Sequence, residues 1–392
     1  MKQRTPRGGR VGTISPTRSM PPRISRILTL LLVAGILSTA RGLAAPPFEE
    51  WGAESLQAIR KDLWLPKLNL YAEQAPDENG VPAAPAFMWG VGVQLSALAA
   101  ASKVQPEKYL PETKAYADAI NVYWLKHNGI EGFDVQPGPK SSDRYYDDNA
   151  WLVLALADVF EVSKERKYLD RSLEAFRFVM SGEDDKLGGG LYWREEFRTS
   201  KNTCTNAPAI VSALRLHQLT KDDTFLKTAK RVYAWTNSHL QDQDGLYWDA
   251  INLDGRVNKR KFSYNTALMI RANCLFHAIT GEARYLDEAK RVAKAAEKFW
   301  VREDGAVSDS GKFAHLLMES LLAVYQQDKD PHWTETVERT LVYLHTHLRT
   351  ADGRYSPRWD RPSRGNPKDS MLLNQASPAR AYWVAADVFK QP

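Results

Sequence analysis

The chain repeats itself, and the repeat leaves few folds open to it. An aromatic–Leu phrase recurs at Tyr109-Leu110, Tyr168-Leu169, Phe225-Leu226 and Tyr285-Leu286, 57–60 residues apart, with a weaker echo at His332-Trp333. In the last three of the four an alanine follows four to seven residues on (Ala175, Ala229, Ala289). A second phrase, glycine beside an aromatic or small residue, punctuates each long gap: Gly132-Phe133, Gly190-Leu191-Tyr192-Trp193, Gly245-Leu246-Tyr247-Trp248-Asp249, Gly305-Ala306 and Gly353-Arg354-Tyr355. A period of this length marks a supersecondary unit that buries its apolar face on its neighbours.

Within that frame, apolar residues return with the helical period in about twelve segments. They lie near 52–63, 86–103, 109–126, 147–162, 166–181, 203–219, 223–240, 262–279, 283–299, 310–326, 331–348 and 373–390. No run reads as a strand of a large sheet. Connections alternate between about four residues and about ten to twenty-five, and in a ring of helical hairpins the long ones share one face. Helices entered from that face are apolar and Ala-rich, so they should be inner; their partners, rich in Lys, Arg and Glu, should be outer. The pattern predicts an all-α fold, an (α/α)6 toroid of six helical hairpins. It should form one domain over residues 45–392, with its cleft where the inner helices begin.

Charge narrows the partners. The formal net charge is +6, but residues 1–48 hold eight Lys/Arg and no acid, leaving 45 basic against 47 acidic residues elsewhere. A body this close to neutral offers no electrostatic footprint for nucleic acid. Arg23 and Arg26 precede an apolar run, Ile27 to Leu37, then small residues ending Gly42-Leu43-Ala44. This reads as a secretory signal peptide within an extension over residues 1–44, with Met20 a candidate start. The mature protein is therefore expected to be secreted or periplasmic, off the membrane and monomeric. Cys204 and Cys274 should be free, because their heights on neighbouring inner helices differ by ~15 Å and a disulfide needs Cα atoms within about 7 Å.

The expected mouth gathers chemistry. Tyr145-Tyr146-Asp147-Asp148-Asn149-Ala150-Trp151 sets two adjacent carboxylates at the entrance to an apolar helix. Helix capping is the plain reading of such a pair. The company it keeps favours acid/base chemistry on a sugar. Beside it should stand Lys201-Asn202 with Asn206, Tyr264-Asn265 and Asn374-Gln375, and the loops should bring Tyr192, Trp193, Trp248 and Asp249. Aromatic faces stack on sugar C–H patches, and amides or carboxylates hold hydroxyls. At a helix start the two carboxyls can lie about 5–5.5 Å apart, the spacing of a retaining glycosidase. Close like charges should push one pKa up, while helix N–H groups keep the other group ionised.

These stretches resemble glycoside hydrolase family 76, the endo-α-1,6-mannanases. The resemblance is carried by Tyr146-Asp147-Asp148-Asn149-Ala150-Trp151, Gly188-Gly189-Gly190-Leu191-Tyr192-Trp193, Lys201-Asn202-Thr203 with Asn206, and Phe262-Ser263-Tyr264-Asn265 leading to Thr280-Gly281. It covers roughly residues 85–390 and departs from the family after Asn265, where Thr266-Ala267 replaces the frequent Gln-Gly. It implies a retaining mechanism on α-mannan or manno-oligosaccharides, with Asp147 as nucleophile, Asp148 as acid/base and Asp249 touching the sugar near the scissile bond. No cofactor or metal is implied.

Four other readings compete. A toroidal sugar epimerase would need paired histidines, and His277 and His315 have no second histidine at the mouth. An exported glycan-binding protein would keep the aromatics without two adjacent acids, whereas a transglycosidase would use the same pair. A metal hydrolase finds only His345 and His347 at ligand spacing, on an outer helix where both should be solvated.

Overall fold

The computed structural model describes residues 46–76, 84–139, 143–365 and 367–390; the expected leader lies outside them. Twelve α-helices form among these residues. The odd-numbered set is α1 (Phe48–Leu63), α3 (Pro106–Ala119), α5 (Arg166–Met180), α7 (Asp223–Leu240), α9 (Ala283–Trp300) and α11 (Pro331–His347). The even-numbered set is α2 (Met88–Val104), α4 (Tyr146–Ser163), α6 (Thr203–Thr220), α8 (Ser263–Thr280), α10 (Gly311–Asp328) and α12 (Leu372–Phe389). Each even helix packs on the next and α12 packs on α2, which closes the inner ring of an (α/α)6 toroid.

The two sets differ as the sequence demands. Inner helices are buried nearly all round, while outer helices bury one stripe and solvate the rest. Short inner-to-outer turns open on a left-handed residue: Lys164, Lys221, Gly281 and Lys329 have φ of +60°, +63°, +70° and +58°. The repeated aromatic near the start of an outer helix can wedge between units, as in Tyr285 on Tyr233 (ring centroids 6.1 Å apart) and Phe225 on Phe176 (5.6 Å). The repeat phrase is therefore packing, not chemistry.

One expectation fails. The segment expected as one helix over 109–126 stops at Ala119, passes through a 3-10 turn and enters a hairpin, β3 (Trp124–His127) with β4 (Ile130–Phe133). Its turn is Asn128-Gly129, both at positive φ, the residue pair that suits a tight hairpin. Strands also build the long-connection face. Residues Trp64–Leu65 (β1) pair with Leu70–Tyr71 (β2), and β5 (Ser200–Asn202), β6 (Trp248–Asn252) and β7 (Val257–Lys261) form an antiparallel sheet. No helix of the described residues is long and apolar enough to cross a membrane. Cys204 and Cys274 are free and buried.

Candidate active site

Because the six inner helices start in register, residues at one position of each helix ring the mouth together. The fourth residue is a brace. Asn149 accepts from Phe133 N (2.8 Å) and donates to Phe133 O (2.9 Å), and Asn206 does the same to Leu191 (2.8 and 3.0 Å). Gln375 holds Tyr355 likewise (2.9 and 3.0 Å), and Thr266 accepts from Tyr247 N (3.1 Å). Each grips the glycine phrase of a long loop. Asn206 and Gln375, expected to hold sugar hydroxyls, are instead saturated by backbone.

The second and third residues point to chemistry. On α4 these are Asp147 and Asp148, on α6 Cys204 and Thr205, on α8 Tyr264 and Asn265. The third-position residues share one property. Asp148 Oδ2, Thr205 Oγ1 and both amide atoms of Asn265 are buried with no protein partner among the described residues, as is Asp147 Oδ1. Buried polar atoms are ordinarily paired, so an arc of orphans on three adjacent helices marks where a polar ligand or water binds. Thr205 was not singled out in the sequence; helix register would have found it.

The carboxylates are not caps. Tyr145 occupies the N-cap of α4, and no side-chain cap bond forms there. Trp193 donates its indole N–H to Asp147 Oδ2 at 2.9 Å. Burial pushes the Asp147 pKa up to about 7, against the pull of Trp193, the Cys204 thiol and first-turn backbone N–H groups. Burial, then the charge of Asp147, raises Asp148 as well. Asp249, on β6, is also raised by burial, opposed by Arg260, and accepts from Asn258 Nδ2 at 2.8 Å. Its charge is felt by Cys204 and Tyr264 at the mouth. Burial lifts the Cys204 thiol far above the usual range, so this cysteine is a poor nucleophile despite its position.

Trp193 is held by a buried truss. Arg144 donates to both oxygens of Glu195 (2.8 and 2.7 Å) and to carbonyls of Leu125, His127 and Ile130, tying β3–β4 to the loop that carries Trp193. Asp143 accepts from Glu196 N and Phe197 N of the same loop.

Other expected site residues have structural partners of their own. Tyr146 and Tyr192 are fully buried in a cluster with Phe178, and the Tyr192 hydroxyl donates to Asp184. The Lys201 ammonium is buried on Asp184 and the carbonyls of Asp184, Lys186 and Gly189. Trp151 packs into the ring interior, Trp248 sits under the Lys259 ammonium, and Asn202 is the N-cap of α6, its amide oxygen accepting from Ser200. His345 is not solvated: its ring stacks on Trp51 at 3.9 Å. Across the ring, Tyr264 stacks on Phe313 (4.3 Å) and faces Trp89 (6.2 Å), an aromatic floor of which the sequence reading identified only Tyr264.

A ring of hairpins with an acidic pair enclosed at its mouth is an architecture of carbohydrate-active proteins, and comparison with known proteins narrows it. Residues 63–327 match the model of glycosyl hydrolase family 76, and the chain belongs to that family. A GH76 α-mannanase of Bacteroides thetaiotaomicron superposes with a TM-score of 0.82 at 30% identity, over 88% of this chain and 96% of that one. An α-1,6-mannanase of Salegentibacter sp. HEL1_6 shares the fold, with a TM-score of 0.75 at 23% identity over 87% of this chain and 99% of that one. A mannan endo-1,6-alpha-mannosidase of Saccharomyces cerevisiae is 23% identical over 52% of this chain and 48% of its own. The chain thus spans about half the length of that curated relative.

Proposed function

We propose that the protein is a secreted or periplasmic, monomeric glycoside hydrolase that cleaves α-1,6-mannosidic linkages in α-mannan or manno-oligosaccharides with retention, without a cofactor. The observation that carries this reading is the orphaned carboxylate pair: Asp147 Oδ1 and Asp148 Oδ2 are buried, adjacent and unpartnered. Asp147, with indole, thiol and backbone donors favouring its charged form, is the nucleophile that attacks the anomeric carbon. Asp148, whose pKa is raised by burial and by the charge of Asp147, protonates the leaving oxygen and later takes a proton from water. Thr205 and Asn265 hold hydroxyls of the same sugar, Asp249 contacts it from the loop side, and the floor of Tyr264, Phe313 and Trp89 stacks on it.

The relatives support this choice of substrate. One is described as a mannan endo-1,6-alpha-mannosidase. The Salegentibacter enzyme was captured with α-1,6-mannotriose as an inactive variant changed at two consecutive aspartates. A glycan-binding protein has no use for two enclosed acids, whose burial only costs stability.

The test is incubation of the mature protein with α-1,6-mannan and α-1,6-mannobiose, with products followed by chromatography and proton NMR. Shorter chains with the α anomer appearing first are expected. Uncut polymer overturns the reading. A first β product would mean inversion and a more distant partner carboxylate, Asp249 first.

A further inference from the structure

A neutral mannan needs no cation, yet the cleft wall facing the acidic pair carries two that no carboxylate pairs. Lys312 is the second residue of α10, three helices round the ring from α4, so it stands across the mouth in the register of Asp147. Its ammonium lies 5.2 Å over the Trp89 ring and 5.1 Å over the Phe313 ring. The Arg260 guanidinium lies 5.2 Å over Phe262, whose ring is itself 5.2 Å from Phe313. The two cations therefore bracket one aromatic patch.

The carboxylates nearest them are engaged elsewhere. Asp309, which attracts Lys312, accepts from Ser263 N and Ser310 N at 2.8 and 2.7 Å, and Asp249 accepts from Asn258. Neither cation has a carboxylate oxygen within ion-pair distance among the described residues, whereas Lys261, next in the strand to Arg260, is clamped by Asp242 and Asp244 at 2.5 and 2.6 Å. A bulge aims Arg260. Between the pairs Trp248–Lys261 and Ala250–Asn258, β6 has one residue and β7 has two, so Lys259 and Arg260 both stand opposite Asp249. Burial pulls the Lys312 pKa down, a cost that a neutral ligand does not offset.

We propose that Arg260 and Lys312, on the aromatic patch of Phe262, Phe313 and Trp89, form a subsite for an anionic substituent on the glycan, a phosphate or a carboxylate. The proposal rests on the assignment of a mannan as the ligand. The aromatic patch stacks on the sugar, and the two cations take the charge it carries.

Calorimetric titration of the mature protein tests it, with α-1,6-mannotetraose in three forms: neutral, bearing one phosphate monoester on each sugar in turn, and bearing one uronate in turn. At least one anionic form should bind about tenfold tighter than the neutral one in ~0.15 M salt, with an advantage that shrinks as salt rises. Phosphate and uronate results identify which group is preferred. The advantage should disappear in the Arg260→Gln/Lys312→Met double variant, and fall in Arg260→Gln alone, whose side chain is exposed. Equal binding of all three forms, no binding of any, or an advantage that survives the double variant overturns the proposal. Cleavage of neutral mannan is scored separately. A protein that cleaves it without anionic preference keeps the function above and loses this subsite; one that prefers the anionic ligand but cleaves no mannan does the reverse.

Discussion

The two ends of the inner ring bury charge in opposite ways. At the mouth no cation pairs with Asp147 or Asp148 among the described residues, and burial drives both pKa values up. At the far end a cavity of about 560 Å³ is lined by Asp158, Glu161, Arg215, Arg271, Glu319 and Arg380. There Arg380 donates to both oxygens of Glu319 (2.9 and 2.8 Å) and Arg271 adds a third bond at 2.7 Å. Burial alone would raise Glu319, but the two guanidinium groups outweigh it and hold the carboxyl at about 2. The far-end cavity is thus the quieter site. Its charges are satisfied by each other, whereas those at the mouth await a ligand, and unmet buried charge is a guide to chemistry.

The contrast breaks if the acids prove interchangeable. Asp147→Asn and Asp148→Asn should each cut turnover of α-1,6-mannan by at least ~10³, since each removes half of a two-step mechanism. Both should fold, because neither carboxylate caps its helix. Either variant retaining near-wild-type turnover, with native circular dichroism, would remove the pair from the mechanism. Glu319→Gln should instead cost about 3–5 kcal/mol in urea unfolding, by stranding Arg380 and Arg271 in the interior. A cost below about 1 kcal/mol would mean that the far-end network contributes nothing to stability.

The same contrast fixes the sign of the pH dependence. Asp147 is raised when folded, so the stability it lends is full below its unfolded pKa near 3.8 and is lost as pH rises through about 7. Glu319 is depressed, so its contribution is full above 4.5 and is lost as pH falls toward about 2. Melting temperatures between pH 4 and 7 should therefore fall in the wild type more than in the Asp147→Asn/Asp148→Asn double variant. At pH 7 the variant should be the more stable, on the order of 1–3 kcal/mol, since a tenfold change in proton affinity is worth about 1.4 kcal/mol. Parallel pH profiles for the two proteins would show that the acids are not desolvated.

What the sequence made legible follows from periodicity. Twelve helices, their inner and outer sorting and the placement of Asp147 and Asp148 came from repeats that one chain displays by itself. The hairpin at Asn128-Gly129 was legible too, and a helical pattern running through Trp124 obscured it. The roles of Asn206, Tyr146 and Tyr192 were not legible, because a polar residue beside a mouth can as well brace a loop as face a ligand. Only the fourth-residue register, seen at Asn149, Asn206, Thr266 and Gln375 together, separates the two. Trp89, Phe313 and Lys312 were missed for a different reason: they meet across the ring, and distance across a ring leaves no mark on local sequence.

The smallest expected effect is also the most specific. Trp193→Phe keeps a ring against Tyr145, now 5.3 Å away edge to face, and removes the 2.9 Å N–H bond to Asp147. That bond favours the ionised carboxylate, so its loss should raise the Asp147 pKa and move the acid limb of the kcat/KM profile to higher pH. The deficit should be about tenfold at acid pH, the worth of one hydrogen bond to a charged group, and should shrink as pH rises until loss of the Asp148 proton ends activity. Glu319→Gln, remote from the pair, should leave both limbs in place. A uniform loss across pH in Trp193→Phe would mean that Trp193 holds substrate and does not tune Asp147. A shifted acid limb in Glu319→Gln would mean that the two ends of the ring share one electrostatic system after all.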